Sequence, residues 1–124
     1  MSIGKIVILE GTSCVGKTTL CESLAAQGWI VLPEAIRYLE DETGKVGDEA
    51  SPIPDSQKEE EYYQDQLFRV EEAKLLVANK LRQEGKNVVI DKSAIATVAT
   101  AKAFEVKKGF EGTFRRAYLK YIDL

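Results

Sequence analysis

The sequence contains no histidine, so an imidazole base, a histidine nucleophile and histidine-ligated metals are all excluded. Its two cysteines, Cys14 and Cys21, are too few for a disulfide framework and are not spaced as a metal set. No apolar run approaches the length of about 20 residues that spans a bilayer, and Met1 to Leu9 is too short and polar-interrupted for a signal peptide. The expectation is a reduced, cytoplasmic protein with no membrane partner. Positive charge is also scarce: 17 lysines and arginines against 20 aspartates and glutamates leave a net charge of −3. That balance speaks against a broad basic face, and so against a nucleic acid polymer as partner. Any polyanion bound by this chain must be held by a local site. At 124 residues, with no internal repeat and no linker, the chain reads as one domain, 1–124.

A local site of that kind is written between Gly11 and Thr18. The stretch GTSCVGKT satisfies G-x-x-x-x-G-K-[ST] at every fixed position. Ile3 to Leu9, before it, is a short apolar run that reads as a strand buried on both faces. Thr18 to Gln27, after it, reads as a helix carrying Leu20, Leu24 and Ala25 on its apolar face. Strand, loop and helix together are the context a phosphate-binding loop requires. Glycines at 11 and 16 let the backbone turn sharply and bring its N–H groups close to phosphate oxygens. The helix start adds unpaired N–H groups and the positive end of its dipole. Lys17 supplies an ammonium for the β- and γ-phosphates, and Thr18 a hydroxyl for Mg²⁺. Gly11, Thr12, Ser13, Cys14, Val15, Gly16, Lys17, Thr18 and Thr19 are therefore the candidate nucleotide-binding residues. Cys14 reads as a small loop side chain rather than a reactive thiol.

Gly28 marks the end of the first helix, and Trp29 to Leu32 forms a second short strand stopped by Pro33. Glu34 follows at once, which puts it on the carboxyl rim of the sheet, where open α/β sheets bind ligands. Ala35 to Glu40 continues as one or two helical turns with Arg37, and Asp41 to Ser56 has the composition of a surface loop. Gln57 to Glu84 is the longest helical pattern, its apolar stripe read as Tyr63, Leu67, Val70, Ala73, Leu76, Val77, Lys80 and Leu81. Glu59, Glu60 and Glu61 near its start read as a solvated face. Gly85 closes this helix. Asn87 to Ile90 is a third strand followed by Asp91, the acidic residue that completes a Mg²⁺ and nucleotide arrangement when a phosphate loop lies upstream. Ala94 to Lys108 and Thr113 to Ile122 read as two further helices, the last with Arg115 and Arg116 exposed.

Taken in order, ILEGTSCVGKTTL, WIVLPEAIRY, LFRVEEAKLLVANKLRQEGK and VVIDKS resemble the P-loop nucleoside and nucleotide kinases, the group of thymidylate kinases and deoxynucleoside kinases. Ribosylnicotinamide kinase-like domains share the Glu-x-x-Arg segment. The resemblance covers most of the chain and implies a three-layer α/β/α parallel sheet with ATP and Mg²⁺ as cofactors. It implies phosphoryl transfer to a nucleoside or nucleoside monophosphate. Lys17 would hold the ATP phosphates, and Thr18 and Asp91 the metal. Glu34 would orient or deprotonate the attacking hydroxyl, and Arg37 would stabilise charge near the acceptor. Arg69 is a weaker candidate for substrate contact. Lys92 stands where the family has arginine, which costs a bidentate grip on phosphate. The family's sheet order, 2-3-1-4-5, leaves the first strand of this chain as an open edge, and its lid lies beyond the last helix read here. The chain therefore reads as the N-terminal portion of such a domain, in which nucleotide binding is more robust than catalysis. The open edge and the last helix's apolar face would favour a homodimer. The alternative function is a nucleotide-binding ATPase-like module without kinase activity.

Overall fold

Three short apolar runs, Ile6–Leu9 (β1), Ile30–Leu32 (β2) and Val88–Asp91 (β3), form one parallel sheet in the order β1-β3-β2. The computed structural model describes residues 2–11, 16–43 and 54–124, the side chains of 40–43 excepted. The helices are Lys17–Ala26 (α1), Ala35–Thr43 (α2), Gln57–Gln83 (α3), Ile95–Lys108 (α4) and Thr113–Ile122 (α5). The fold class is thus α/β, as the sequence implies. The chain divides into two compact units, residues 1–34 with 73–93 and residues 35–72 with 94–124, and α3 contributes to both.

In the first unit β3 is central, pairing Ile6 with Val88 and Ile8 with Ile90 on one side, and Ile30 with Val88 and Leu32 with Ile90 on the other. Paired residues of parallel strands share a face, so Ile6, Ile30, Leu32, Val88 and Ile90 line one side. Leu75, Ala78 and Leu81 of α3 pack against that side. Val88, Val89 and Ile90 are fully buried, the mark of a strand flanked on both edges. β1 is not. Val7 and Ile8 are 37% and 44% exposed, because β1 is the sheet's edge and pairs only with β3 among the described residues. The reading of β1 as a fully buried strand is corrected accordingly, while its place at the open edge follows the expected strand order.

Local signals explain the element ends. The α1 helix closes with Trp29 N–H donating to the Leu24 carbonyl and Gly28 N–H to that of Ala25, the paired bonds of a Schellman motif. Gly4 has no room for a side chain, since a Cβ there would stand 1.8 Å from the Lys86 carbonyl oxygen. The buried face of α1 carries Lys17 and Cys21, with Leu24 partly buried, while Leu20 is 45% exposed. The helix turns its phosphate lysine inward instead of the leucine face expected. α2 runs to Thr43, three residues past the expected end; of the loop expected over 41–56, residues 44–53 lie outside the described residues.

The second unit is built on helix contacts. Ala101 of α4 and Ala117 of α5, both fully buried, join Phe68 and Ala94 in one apolar cluster. Small residues here let the helices approach closely. Arg116 is not an exposed cation: its fork donates to both oxygens of Asp65 at 2.8 and 3.1 Å and to Gln64 Oε1 at 3.2 Å. Lys120 joins Asp65 at 2.9 Å. Burial pushes the Asp65 carboxyl up, but the hydrogen bonds from Lys120 and Arg116 outweigh it and hold the group below its usual range.

Glu60 overturns its reading as part of a solvated face. It is 1% exposed, accepts one hydrogen bond from Gln64 Nε2 at 3.1 Å, and its Oε2 has no hydrogen-bond partner. Burial raises its pKa above the ordinary 4.5, and the Gln64 bond only partly opposes this. The sign follows directly. The folded state keeps this proton longer than the unfolded chain, so stability falls as pH rises from the ordinary carboxyl value through the raised one. Glu60→Gln removes the charge, and is expected to stabilise the protein by about 1 kcal/mol at neutral pH and by almost nothing near pH 4. Urea unfolding at the two pH values measures it.

Candidate functional site

Because the three strands run parallel, their carboxyl ends lie on one rim, and an acidic residue stands at each: Glu10 after β1, Glu34 after β2 and Asp91 closing β3. The phosphate loop leaves β1 at this same rim. Gly11 and Gly16 take φ of 133° and 84°, values that suit glycine, and α1 begins immediately afterwards at Lys17. Thr12, Ser13, Cys14 and Val15 lie outside the described residues. Thr18 and Thr19 are exposed on the first turn of α1.

Lys17 is 7% exposed, and its ammonium lies 3.3 Å from Asp91 Oδ1 and 3.5 Å from Glu34 Oε1. The Lys92 ammonium also lies 3.5 Å from Glu34 Oε1. Two cations and two carboxylates thus close on one another in the first unit. Their charges balance, which makes the partial burial of all four tolerable. Of the expected site residues, Lys17, Glu34 and Asp91 come together. Arg37 and Arg69 belong to the second unit and are exposed there. Cys21, one turn after Lys17, is buried: burial raises its thiol pKa, Asp91 adds to the effect and Lys17 opposes it. Burial and Asp91 both favour the protonated thiol, the less nucleophilic form.

Two residues that make contacts at this rim escaped sequence reasoning. Glu10 accepts from Ser93 N–H at 2.8 Å and from the Ser93 hydroxyl, tying the end of β1 to the segment after β3. Its signal was available, since it ends an apolar strand just as Glu34 and Asp91 do. Lys74, 3% exposed, donates to the carbonyls of Asp91 at 3.4 Å and Lys92 at 3.1 Å. A lysine four residues before Ala78, on the face that packs against the sheet, was the signal.

The set can do two things chemically. Lys17, with the N–H groups at the start of α1, can take an anionic phosphate once it leaves its carboxylates. The carboxylates it leaves are hard oxygen donors. Among the described residues no group of three or more His, Cys, Asp or Glu could hold a metal alone. The chemistry of the Asp91 carboxylate, a hard oxygen donor, suits an ion such as Mg²⁺ that takes its remaining ligands from phosphate and water.

Loop, sheet and lysine define a nucleotide-binding domain of the P-loop NTPase type. Residues 6–121 match the AAA domain family, and the chain belongs to it. No curated protein and no solved structure matches the chain. Among the described residues no helix is long and apolar enough to cross a membrane.

Proposed function

We propose that this domain transfers the γ-phosphoryl group of ATP to a nucleoside or nucleoside monophosphate. The observation that carries the reading is the contact of Lys17 with both Glu34 and Asp91 at the head of the phosphate loop. A domain that only holds nucleotide needs the lysine and one metal-binding acid. A second carboxylate on the same ammonium, at the end of a neighbouring strand, is what an acceptor hydroxyl would require.

In this reading the backbone from Gly11 to Thr19 and the Lys17 ammonium bind the phosphates. Thr18 and Asp91 would hold Mg²⁺, which supplies charge neutralisation between the phosphates. Glu34 orients the acceptor hydroxyl and receives its proton as the new P–O bond forms and the bond from the γ-phosphorus to the β,γ-bridging oxygen breaks, with ADP as the leaving group. Lys92 balances the Glu34 charge until then. Phosphoryl transfer rests on positioning and charge more than on covalent catalysis, and this set is adequate to it. The second reading, favoured by membership of the AAA domain family, is a nucleotide-binding ATPase-like module without an acceptor.

A coupled ATP-consumption assay with Mg²⁺ separates them, screening nucleosides, nucleoside monophosphates and ribosylnicotinamide beside a calorimetric titration of ATP. Consumption that depends on one acceptor class supports the kinase. Binding or slow hydrolysis indifferent to every acceptor supports the module, and no ATP binding at all overturns both.

A further inference from the structure

A buried lysine must spend its donors on protein acceptors, since an unpartnered ammonium away from water is costly. Lys74 gives two of its contacts to the successive carbonyls of Asp91 and Lys92, at 3.4 and 3.1 Å. Those carbonyls flank the point where the chain leaves β3, and the backbone there is unusual. Lys92 has φ of 62°, the one positive value on a non-glycine residue among the described residues. An L side chain in the left-handed region is strained and persists only where its surroundings over-determine it.

The surroundings do so from three sides. Lys92 N–H donates to the Leu9 carbonyl at 2.8 Å, Ser93 N–H donates to Glu10 Oε1 at 2.8 Å, and Lys74 holds the two carbonyls from α3. The strained residue and the one before it are members of the charge cluster. Asp91 reaches Lys17, and the Lys92 ammonium reaches Glu34. A glycine at 92 would adopt the turn freely but would bring no ammonium.

We propose that Lys74 is a positioning residue. It clamps the left-handed turn at Lys92 and thereby sets the direction in which Asp91 and Lys92 address Lys17 and Glu34. Its consequence for nucleotide binding rests on the reading given under the proposed function; the clamp itself does not.

A cycle of Lys74→Met, Lys92→Gly and the double variant tests it, read by ATP titration in the presence of Mg²⁺ and by urea unfolding. Lys74→Met keeps the length of the side chain and loses its donors. Lys92→Gly takes φ of 62° without strain. Lys74→Met should weaken ATP binding at least about tenfold when Lys92 is present, and by less than about threefold in the Lys92→Gly background, each measured against its own parent. The unfolding midpoint should follow, with Lys92→Gly recovering at least about half of the drop that Lys74→Met causes. A role in merely filling the core would give equal losses in both backgrounds, and that result overturns the proposal, as does unchanged ATP affinity in Lys74→Met. If Lys74→Met alone does not fold, folding of the double variant supports the clamp and its failure to fold overturns it. If the unsubstituted protein binds no ATP, the nucleotide reading falls, while the unfolding cycle still decides whether Lys74 holds the turn.

Discussion

Lys17→Met is expected to weaken ATP binding by at least about a hundredfold, because it removes the one buried cation at the start of the phosphate-loop helix. The backbone N–H groups of the loop and the end of α1 survive the change, so residual weak binding is part of the expectation. The same substitution acts on stability. Asp91 and Glu34 are 17% and 26% exposed and both lean on the Lys17 ammonium. Lys92 continues to balance Glu34, so the loss falls mainly on Asp91. A half-screened carboxylate losing its cation costs about 1–3 kcal/mol, less than a fully buried one would. The two effects have separate readouts, calorimetric titration for affinity and thermal unfolding for stability. Addition of excess Mg²⁺, which can occupy the freed carboxylates, should restore part of the stability without restoring ATP affinity. An affinity within about threefold of the unsubstituted protein would sink the assignment of Lys17 to phosphate.

Two of the acidic residues on the rim, Glu34 and Asp91, were legible because that needs only the ends of apolar runs and the knowledge that parallel strands share their carboxyl edge. The β1-β3-β2 order came from the family resemblance alone. The face of α3 was not legible. The stripe drawn through Tyr63, Leu67, Val70, Ala73, Leu76, Val77, Lys80 and Leu81 follows spacing and finds Leu81 on the sheet, yet Leu76 is 66% exposed and the buried positions include Glu60, Gln64, Glu71 and Lys74. Period alone finds a helix face by its hydrophobicity, and this helix buries polar groups, some partnered inside the fold, Gln64 by Arg116 and Glu60 and Lys74 by the carbonyls of Asp91 and Lys92, while Glu60 Oε2 has no hydrogen-bond partner. Arg116 was misjudged for the same reason, since an arginine on a short terminal helix gives no sign that Asp65, some fifty positions earlier, will meet it. Nor can Lys92 announce its left-handed backbone. Where glycine signals such a turn in the sequence, a lysine held there by Lys74 and Leu9 is visible only in three dimensions.

Glu34→Gln isolates the one member of the cluster whose proposed work is proton transfer. Its Oε1 lies 3.5 Å from both Lys17 and Lys92, longer than a good charge-assisted hydrogen bond, and the residue is partly exposed. The pairs are therefore worth little to the fold, and the substitution should change stability by less than about 1 kcal/mol. Phosphate affinity should hold or improve up to about threefold, because Lys17 loses a competitor for its ammonium while Asp91 keeps it oriented. Turnover should behave otherwise. An amide of the same shape can neither receive the acceptor's proton nor carry the charge that orients its hydroxyl, and removal of a general base costs roughly 10²- to 10⁴-fold in kcat. Loss of acceptor-dependent ATP consumption, with ATP affinity held or improved, is the expected pair of results, and it assigns Glu34 to the chemical step. Unaltered acceptor-dependent consumption would remove Glu34 from the mechanism and leave the acceptor's proton to another group or to water.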